Sequence, residues 1–281
     1  LFSVIDAWDA DRTIENLRIS RAYLAADTGY TGAIAGYVNS GNMKNVYFKN
    51  CYVDETVIIE TPGMASGFVG SLAYESSYYT VENSASLAAK ADGSRLQYGF
   101  AGNVHDWKWG CKYFTVNNSF AYADEYLGAS WGMGITNSYL ISDLESIKGE
   151  AAKTAMPDLN WDGVWQTNEG SYPTYVKETE APSKIWDGTV AGEYAGGTGT
   201  ADDPYIIETP SQLARMIKND TIDTADSGDK TSFSMGKYYK LASDIYLNDI
   251  SDPDWRKNKP NQWYGSSTSC RFGGNLDGDG Y

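Results

Sequence analysis

Ile14-Glu15-Asn16, Met43-Lys44-Asn45, Val81-Glu82-Asn83, Val116-Asn117-Asn118 and Ile135-Thr136-Asn137 repeat one small pattern, an apolar residue, any residue, then asparagine. One and three positions after each asparagine stand Leu17/Ile19, Val46/Phe48, Ser84/Ser86, Ser119/Ala121 and Ser138/Leu140, all apolar or small. A second element precedes four of these sites: Ala33-Ile34-Ala35-Gly36, Gly67-Phe68-Val69-Gly70, Gly99-Phe100-Ala101-Gly102 and a degenerate Ala129-Ser130-Trp131-Gly132. The two elements alternate along the chain, and that alternation decides the fold.

Successive asparagine sites lie 29, 38, 35 and 19 residues apart. Such spacing is too uneven for a helical-repeat solenoid and suits stacked β-coils whose loops vary in length. In a coil, short parallel strands alternate inward and outward side chains, and every turn bends at the same place. Glycine suits a bend because it tolerates positive φ. Asparagine suits one because its side chain bonds backbone and it enters the left-handed region readily. Amides stacked on successive coils can also bond one another. The pattern therefore predicts a mainly β protein, a parallel β-helix (β-solenoid), in preference to a β-sandwich with Gly-rich turns.

Helical signal is nearly absent before residue 140, and the organisation changes after about residue 150. The segment Ile141–Lys148 reads as one short helix with Ser142 as cap and Glu145 three residues on. From Met156-Pro157 through Trp165 to Tyr172-Pro173-Thr174-Tyr175 the chain is rich in aromatics and proline, which suits a closing segment over the open end of a strand stack. Residues 177–185 are largely charged and carry Pro182, a linker composition. Beyond it, Gly196–Thr200 is a glycine-rich turn feeding the strand Tyr205-Ile206-Ile207. Thr209-Pro210-Ser211-Gln212 then opens a helix with Leu213, Met216 and Ile217 on one face. The expected domains are thus 1–176, a β-helix module with an aromatic closing segment; 177–185, a linker; and 186–281, the start of a second, truncated module of the same type containing one short helix.

Composition bounds the function. Over 281 residues, 22 Lys+Arg against 37 Asp+Glu give a net charge of −15, with 29 Gly, 22 Tyr and a single His. No basic face is available for phosphate backbones, so nucleic acid and anionic lipid are poor partners. No run approaches the ~20 apolar residues of a membrane span. Cys51, Cys111 and Cys270 are too scattered for a disulfide framework or a zinc site and read as small core residues. The balance suits a β-rich extracellular protein, and a start at Leu1-Phe2-Ser3 reads as a cut from something longer.

Gly197-Thr198-Gly199-Thr200-Ala201-Asp202-Asp203-Pro204-Tyr205, followed by Gln212-Leu213, Leu241–Asn248 and the closing Phe272-Gly273-Gly274-Asn275-Leu276-Asp277-Gly278-Asp279-Gly280-Tyr281, resembles the opening of a repeat module. Such modules occur in large secreted or cell-surface bacterial proteins with GLUG-type repeats and right-handed parallel β-helix folds. The coils at Ala33–Gly36, Gly67–Gly70 and Gly99–Gly102 resemble the later part of the module, and Trp165 with Tyr172-Pro173 its closing segment. In that family the Asp-Gly-x-Gly-Tyr element precedes an apolar strand and a Leu-Phe-Gly-like turn. This chain ends with the first and begins with the second, with Ser3 in place of Gly, so the ends would match if copies were laid in tandem. The resemblance implies an extended scaffold or adhesin at the cell surface or outside the cell. Its partners would be glycans, host or cell-surface proteins and neighbouring modules of the same chain.

Enzymatic readings find little support in the residues. Parallel β-helices also host polysaccharide lyases and hydrolases, so a carbohydrate-active enzyme or its accessory binding module is the alternative. Yet the adjacent acids Asp54-Glu55, Asp124-Glu125 and Asp202-Asp203 keep no fixed offset from the asparagines. His105-Asp106 sits in a long loop without a nucleophile motif. Asp277-Gly278-Asp279-Gly280 partly imitates the start of a calcium loop whose later ligands would fall past residue 281, and in the family it resembles that place is a structural turn. No catalytic residue, metal site or cofactor is expected. If the positions one and three after each asparagine face inward, the position two after it, Arg18, Tyr47, Ala85, Phe120 and Tyr139, faces out and stacks into a stripe with three aromatics suited to sugar rings, which Trp107, Trp109 and Trp131 would extend; the reading preferred over it is that inside and outside are reversed or that loops cover the stripe, so no ligand-binding residue is assigned.

Overall fold

The structure, a computed structural model, describes residues 1–26, 29–40, 43–73, 78–104, 113–128, 132–175, 184–218, 234–247 and 271–281. It is 45% strand and 8% helix, and its parallel sheets form a β-solenoid of about six turns. In Asn45–Lys49 and Tyr78–Glu82 buried residues alternate with half-buried ones, the period of a strand with one face in the core. Stacking in register turns that alternation into columns. Ile14, Phe48, Val81, Val116 and Ile135 lie one above another. The core holds the first four at 2% exposure or less.

Three parallel sheets line the stack. The corner asparagines join the middle sheet (Arg12–Glu15, Asn45–Lys49, Tyr78–Glu82, Tyr113–Asn117, Met133–Thr136) to a five-stranded sheet (Arg18–Ile19, Tyr52–Val53, Ala85–Ser86, Phe120–Ala121, Tyr139–Leu140). Asn16, Asn50, Asn83, Asn118 and Asn137 all have φ between 47° and 53°. The amides of the first four donate to the rung below. Asn118 Nδ2 bonds Asn83 Oδ1 at 2.6 Å, Asn83 bonds Asn50 at 3.1 Å, Asn50 bonds Asn16 at 2.8 Å, and Asn16 bonds Asp277 Oδ1 at 2.8 Å. The Asn160 backbone N–H donates to Asn118 Oδ1. The chain of amides thus starts on a backbone donor and ends on a carboxylate, so its bonds all point one way and polarise one another.

One expected corner is corrected. The left-handed residue of the second coil is Asn50, not Asn45, which is the first residue of the strand Asn45–Lys49. With Asn50 in place the first corners are 34, 33 and 35 residues apart. The serine after the corner carries a second ladder. The hydroxyls of Ser84, Ser119 and Ser138 accept the N–H of Cys51, Ser84 and Ser119 at 3.0–3.1 Å. They donate to the carbonyls of Glu82, Asn117 and Thr136 at 2.7–2.8 Å, which satisfies polar groups next to the core.

The glycine element bends the third sheet. A Cβ at Gly102 would lie 2.3 Å from the Gly70 carbonyl oxygen, and one at Gly128 2.1 Å from that of Gly102, so no side chain fits this column. The register pairs Ala101 with Leu127, making Glu125-Tyr126-Leu127-Gly128 the fourth copy and not Ala129–Gly132. Phe2 pairs with Ala35, which places Ser3 at the glycine position of the first coil.

The C-terminal strands continue these same sheets. Asn275–Asp277 lies under Arg12–Glu15, Tyr238–Leu241 under that, and Tyr205–Ile207 under that. Phe272 stacks on Phe2 at 4.4 Å between ring centroids. The ends expected to match between tandem copies therefore meet within this one chain. The helix Pro210–Lys218 forms as expected: Thr209 Oγ1 accepts from Gln212 N, and Gln212 Oε1 accepts from Thr209 N.

Two expectations about residues 141–175 change. The first helical turn is a 3-10 turn, Leu144–Ile147, capped by Asp143 and not by Ser142, and a short α-helix, Ala151–Ala155, follows. The aromatic segment covers a side of the stack and not its end. Trp165 packs on Phe120 at 4.8 Å and on Tyr175 at 4.7 Å, its Nε1 donates to the Asn118 carbonyl, and Tyr52 Oη donates to the Pro173 carbonyl.

Candidate ligand-binding face

The stripe two after each corner exists, with Tyr52 in place of Tyr47: Arg18, Tyr52, Ala85, Phe120 and Tyr139 are in register. It points out of the coils as expected, but Tyr52, Ala85 and Phe120 are buried under Trp165 and its neighbours. This stripe is structural and offers no surface for a ligand. Trp107, Trp109 and Trp131 lie outside the described residues, as does His105.

The middle sheet presents a different outward surface. Tyr78 and Tyr113, paired in register, stack with centroids 5.2 Å apart and planes 12° from parallel. Next to them runs Asn275, Thr13, Tyr47, Thr80, Thr115 and Gly134, one residue per rung. Lys49 Nζ sits 4.9 Å from the centre of the Tyr47 ring. Tyr113 is 47% exposed. The Gly132 carbonyl accepts from Phe114 N, and Gly134 pairs with Thr115, so the top rung puts no side chain above Tyr113 or Thr115. The result is a ledge of aromatic rings and hydroxyls one rung deep, the surface chemistry that takes a sugar ring by stacking and hydrogen bonding. Sequence reasoning placed the aromatic surface on the neighbouring sheet. The signal for the true one was the alternation Tyr78-Thr80 and Tyr113-Thr115, whose intervening residues are apolar or aromatic.

A charged column flanks the ledge: Lys240, Asp277, Glu15, Lys49 and Glu82 stack in register. Burial first, then the neighbouring Asp277 carboxylate, raise the pKa of Glu15 above its ordinary 4.5, while Lys49 opposes them. Asp277 also accepts from Asn16 and from the Asp279 N–H, and Asp279 pairs with Lys240 at 3.1 Å. The Asp-Gly-Asp-Gly segment is thereby a turn: the Gly278 and Gly280 amides donate to the carbonyls of Glu15 and Asn16.

The adjacent acids are dispersed. Asp54 is buried and accepts from Thr56, with Arg18 3.4 Å away. Asp124 is exposed and pairs with Arg95 at 2.8 Å. The Asp203 carbonyl closes the Thr198–Thr200 turn. Among the described residues no group of three or more His, Cys, Asp or Glu is placed to hold a metal ion, and no helix is long and apolar enough to cross a membrane. Cys51 is buried, which pushes its thiol up to about 12. Cys111 and Cys270 lie outside the described residues.

Over 112 residues, 40% of its length, the chain is 31% identical to Halomucin of Haloquadratum walsbyi (strain DSM 16790 / HBSQ001), and the match spans 1% of that protein. No family model matches. No solved structure matches.

Proposed function

We propose that this chain is a non-catalytic repeat segment of a secreted or surface-attached protein, an extended scaffold whose middle sheet binds glycan chains. The Tyr78–Tyr113 stack carries the reading: two parallel rings on an outer face, with Thr80 and Thr115 beside them and glycines on the rung above. Aromatic area at a solvent-facing position does little for a soluble stack and much for a sugar. A solenoid suits the scaffold role because each coil contacts only its neighbours, so length is added by repetition. Likeness to a small part of a protein named as a mucin supports an extracellular setting. Membership of tandem GLUG-type arrays in bacterial surface proteins, and adhesion to host surfaces, belong to the same proposal.

The test is binding of the whole chain to a panel of immobilised oligosaccharides, with Tyr78→Ala and Tyr113→Ala as the controls. Retention of at least one glycan class that both variants weaken supports the reading. Equal retention of wild type and variants would refute it.

One observation favours a second reading, polysaccharide cleavage: Glu15 and Asp277 are carboxylates in register on adjacent coils, beside the same ledge. Release of new reducing ends from an acidic polysaccharide, abolished in Glu15→Gln, would establish it in place of simple binding.

A further inference from the structure

Six glycines lie inside described strands: Gly32, Gly36, Gly70, Gly99, Gly102 and Gly134. At the first five an added Cβ would come within 3.1 Å of a neighbouring atom, so crowding accounts for them. At Gly134 it would meet only the Thr115 side chain, at 3.8 and 4.0 Å, which is ordinary contact. Gly134 is exposed and its φ is not positive, so neither packing nor backbone conformation calls for a glycine there. A glycine weakens a strand interior, and one that nothing crowds marks a place where something else approaches the backbone.

The space around Gly134 is a notch. Gly132 and Gly134 leave the top rung bare above Tyr113 and Thr115, and Thr136, the next outward residue of that strand, closes one end above Asn117. The floor is the upper face of the Tyr113 ring, whose lower face is taken by Tyr78. One rung is about 4.8 Å high. The two tyrosine rings stack 5.2 Å apart, so a further ring laid on Tyr113 fills that height. From Gly132 to Gly134 the strand advances about 6.8 Å, the length of a pyranose with its linkage. The hydroxyls of Thr115 and Thr136 and the amide of Asn117 flank this space and have no hydrogen-bond partner among the described residues. In the strands Tyr78–Glu82, Tyr113–Asn117 and Met133–Thr136, Glu82 is the one charged side chain.

We propose that Gly134 sets the specificity of the ledge, and that the notch takes a chain of uncharged pyranoses joined through equatorial bonds. The proposal rests on the glycan-binding function proposed above and deepens it. A pyranose with equatorial substituents has a flat C–H face, which an aromatic ring accepts by stacking. Equatorial links keep the next sugar in the same plane, over Thr115 and against the bare backbone of Gly134. An axial link turns it into the strand or out into solvent. These strands hold no cation to pair a carboxylate or sulfate, and Glu82 repels one, so an anionic sugar binds more weakly. A side chain at residue 134 would fill the place of the second sugar.

Calorimetric titration of the whole chain with cellotetraose, maltotetraose and the C6-oxidised, uronate form of cellotetraose tests this, with Gly134→Thr, Gly134→Ala and Tyr113→Ala beside the wild type. Wild type is expected to bind cellotetraose at least ten-fold more tightly than either of the others. Gly134→Thr should lose at least ten-fold in affinity with its melting temperature unchanged or raised, and Gly134→Ala should lose less. If Gly134→Thr binds as wild type does while Tyr113→Ala is weakened, the notch is overturned and glycan binding at the ledge stands. Tighter binding of maltotetraose or of the uronate form overturns the sugar class. A clear fall in the melting temperature of Gly134→Ala would make the glycine structural and overturn its role in specificity. Retention of some other oligosaccharide with none of these three bound refutes this proposal alone, whereas retention of no glycan at all removes the ledge as a site.

Discussion

On the sheet that carries Tyr52 and Phe120 the outward rings are 2% and 0% exposed, whereas on the sheet beside it the outward ring of Tyr113 is 47% exposed. Both sheets are parallel, both turn at the same asparagine corner, and both have aromatics in outward columns. They differ in what the chain does afterwards. Residues 141–175 fold back over the first and not the second. An outward aromatic in a solenoid is therefore not a site by virtue of pointing outward; what decides is whether a later segment comes back to cover it.

The largest test of that difference is to uncover the covered face. Trp165 is fully buried against Phe120, Tyr52 and Tyr175. Truncation to alanine leaves a cavity and an unanswered Asn118 carbonyl, so Trp165→Ala is expected to cost about 3–5 kcal/mol. Urea titration with tryptophan-independent detection measures it. A loss below about 1 kcal/mol would mean that the segment lies on the stack without holding it, and the contrast between the faces would fail.

The corner where the faces meet comes next. Asn83→Ala severs amide bonds to the rungs above and below and places an alanine in a left-handed conformation, φ 47°. Together these cost about 2–3 kcal/mol. Asn83→Gly restores the backbone freedom without the amide, so it should recover roughly half. Equal losses in the two variants would show that the ladder matters and the backbone conformation does not.

The corners also show what was legible in advance. Positions one and three after a corner do face the core and position two does face out, because strand alternation is a property of the backbone that the sequence obeys directly. The second corner was misplaced because Met43-Lys44-Asn45 and Phe48-Lys49-Asn50 satisfy the same three-residue pattern. Register distinguishes them: Lys49 pairs with Glu15 and Glu82, which puts Asn50 beside the corners Asn16 and Asn83, whereas Asn45 pairs with Tyr78 at the start of its strand. The glycine column was displaced by four residues for a related reason. Gly128 and Gly132 both follow an apolar or aromatic run, and only a register with Gly102 shows which carbonyl is approached too closely for a side chain. The covering of the Tyr52–Phe120 stripe depends on contacts between residues about 45 to 120 positions apart, such as Trp165 on Phe120 and Tyr52 with Pro173, and no local pattern encodes those.

On the open face the expected effect is on binding and hardly on folding. Tyr113→Ala removes a half-exposed ring, so the melting temperature should move by no more than about 2 °C. Affinity for a bound glycan should fall roughly three- to ten-fold, the worth of one stacking contact. The opposite outcome, a large stability loss with binding intact, would make Tyr113 a packing residue like Phe120 and remove the distinction between the sheets.

The smallest effect concerns the charged column on that face. Glu15 has its pKa raised above 4.5 by burial, with the Asp277 carboxylate adding and Lys49 opposing. The folded state therefore holds this proton more tightly than the unfolded chain does. Below the unfolded value both states are protonated and the group is neutral in its effect. As pH rises through the folded value the charge is forced onto a partly buried site, and stability is lost. Glu15→Gln should accordingly melt with the wild type at acidic pH and above it at pH 7, the gap opening just above pH 4.5. Thermal melts of both proteins across pH 3.5 to 7.5 measure that gap. A variant less stable than wild type at pH 7 would mean that attraction to Lys49 outweighs burial and the Asp277 repulsion, so that this column braces the open face as the aromatic segment braces the covered one.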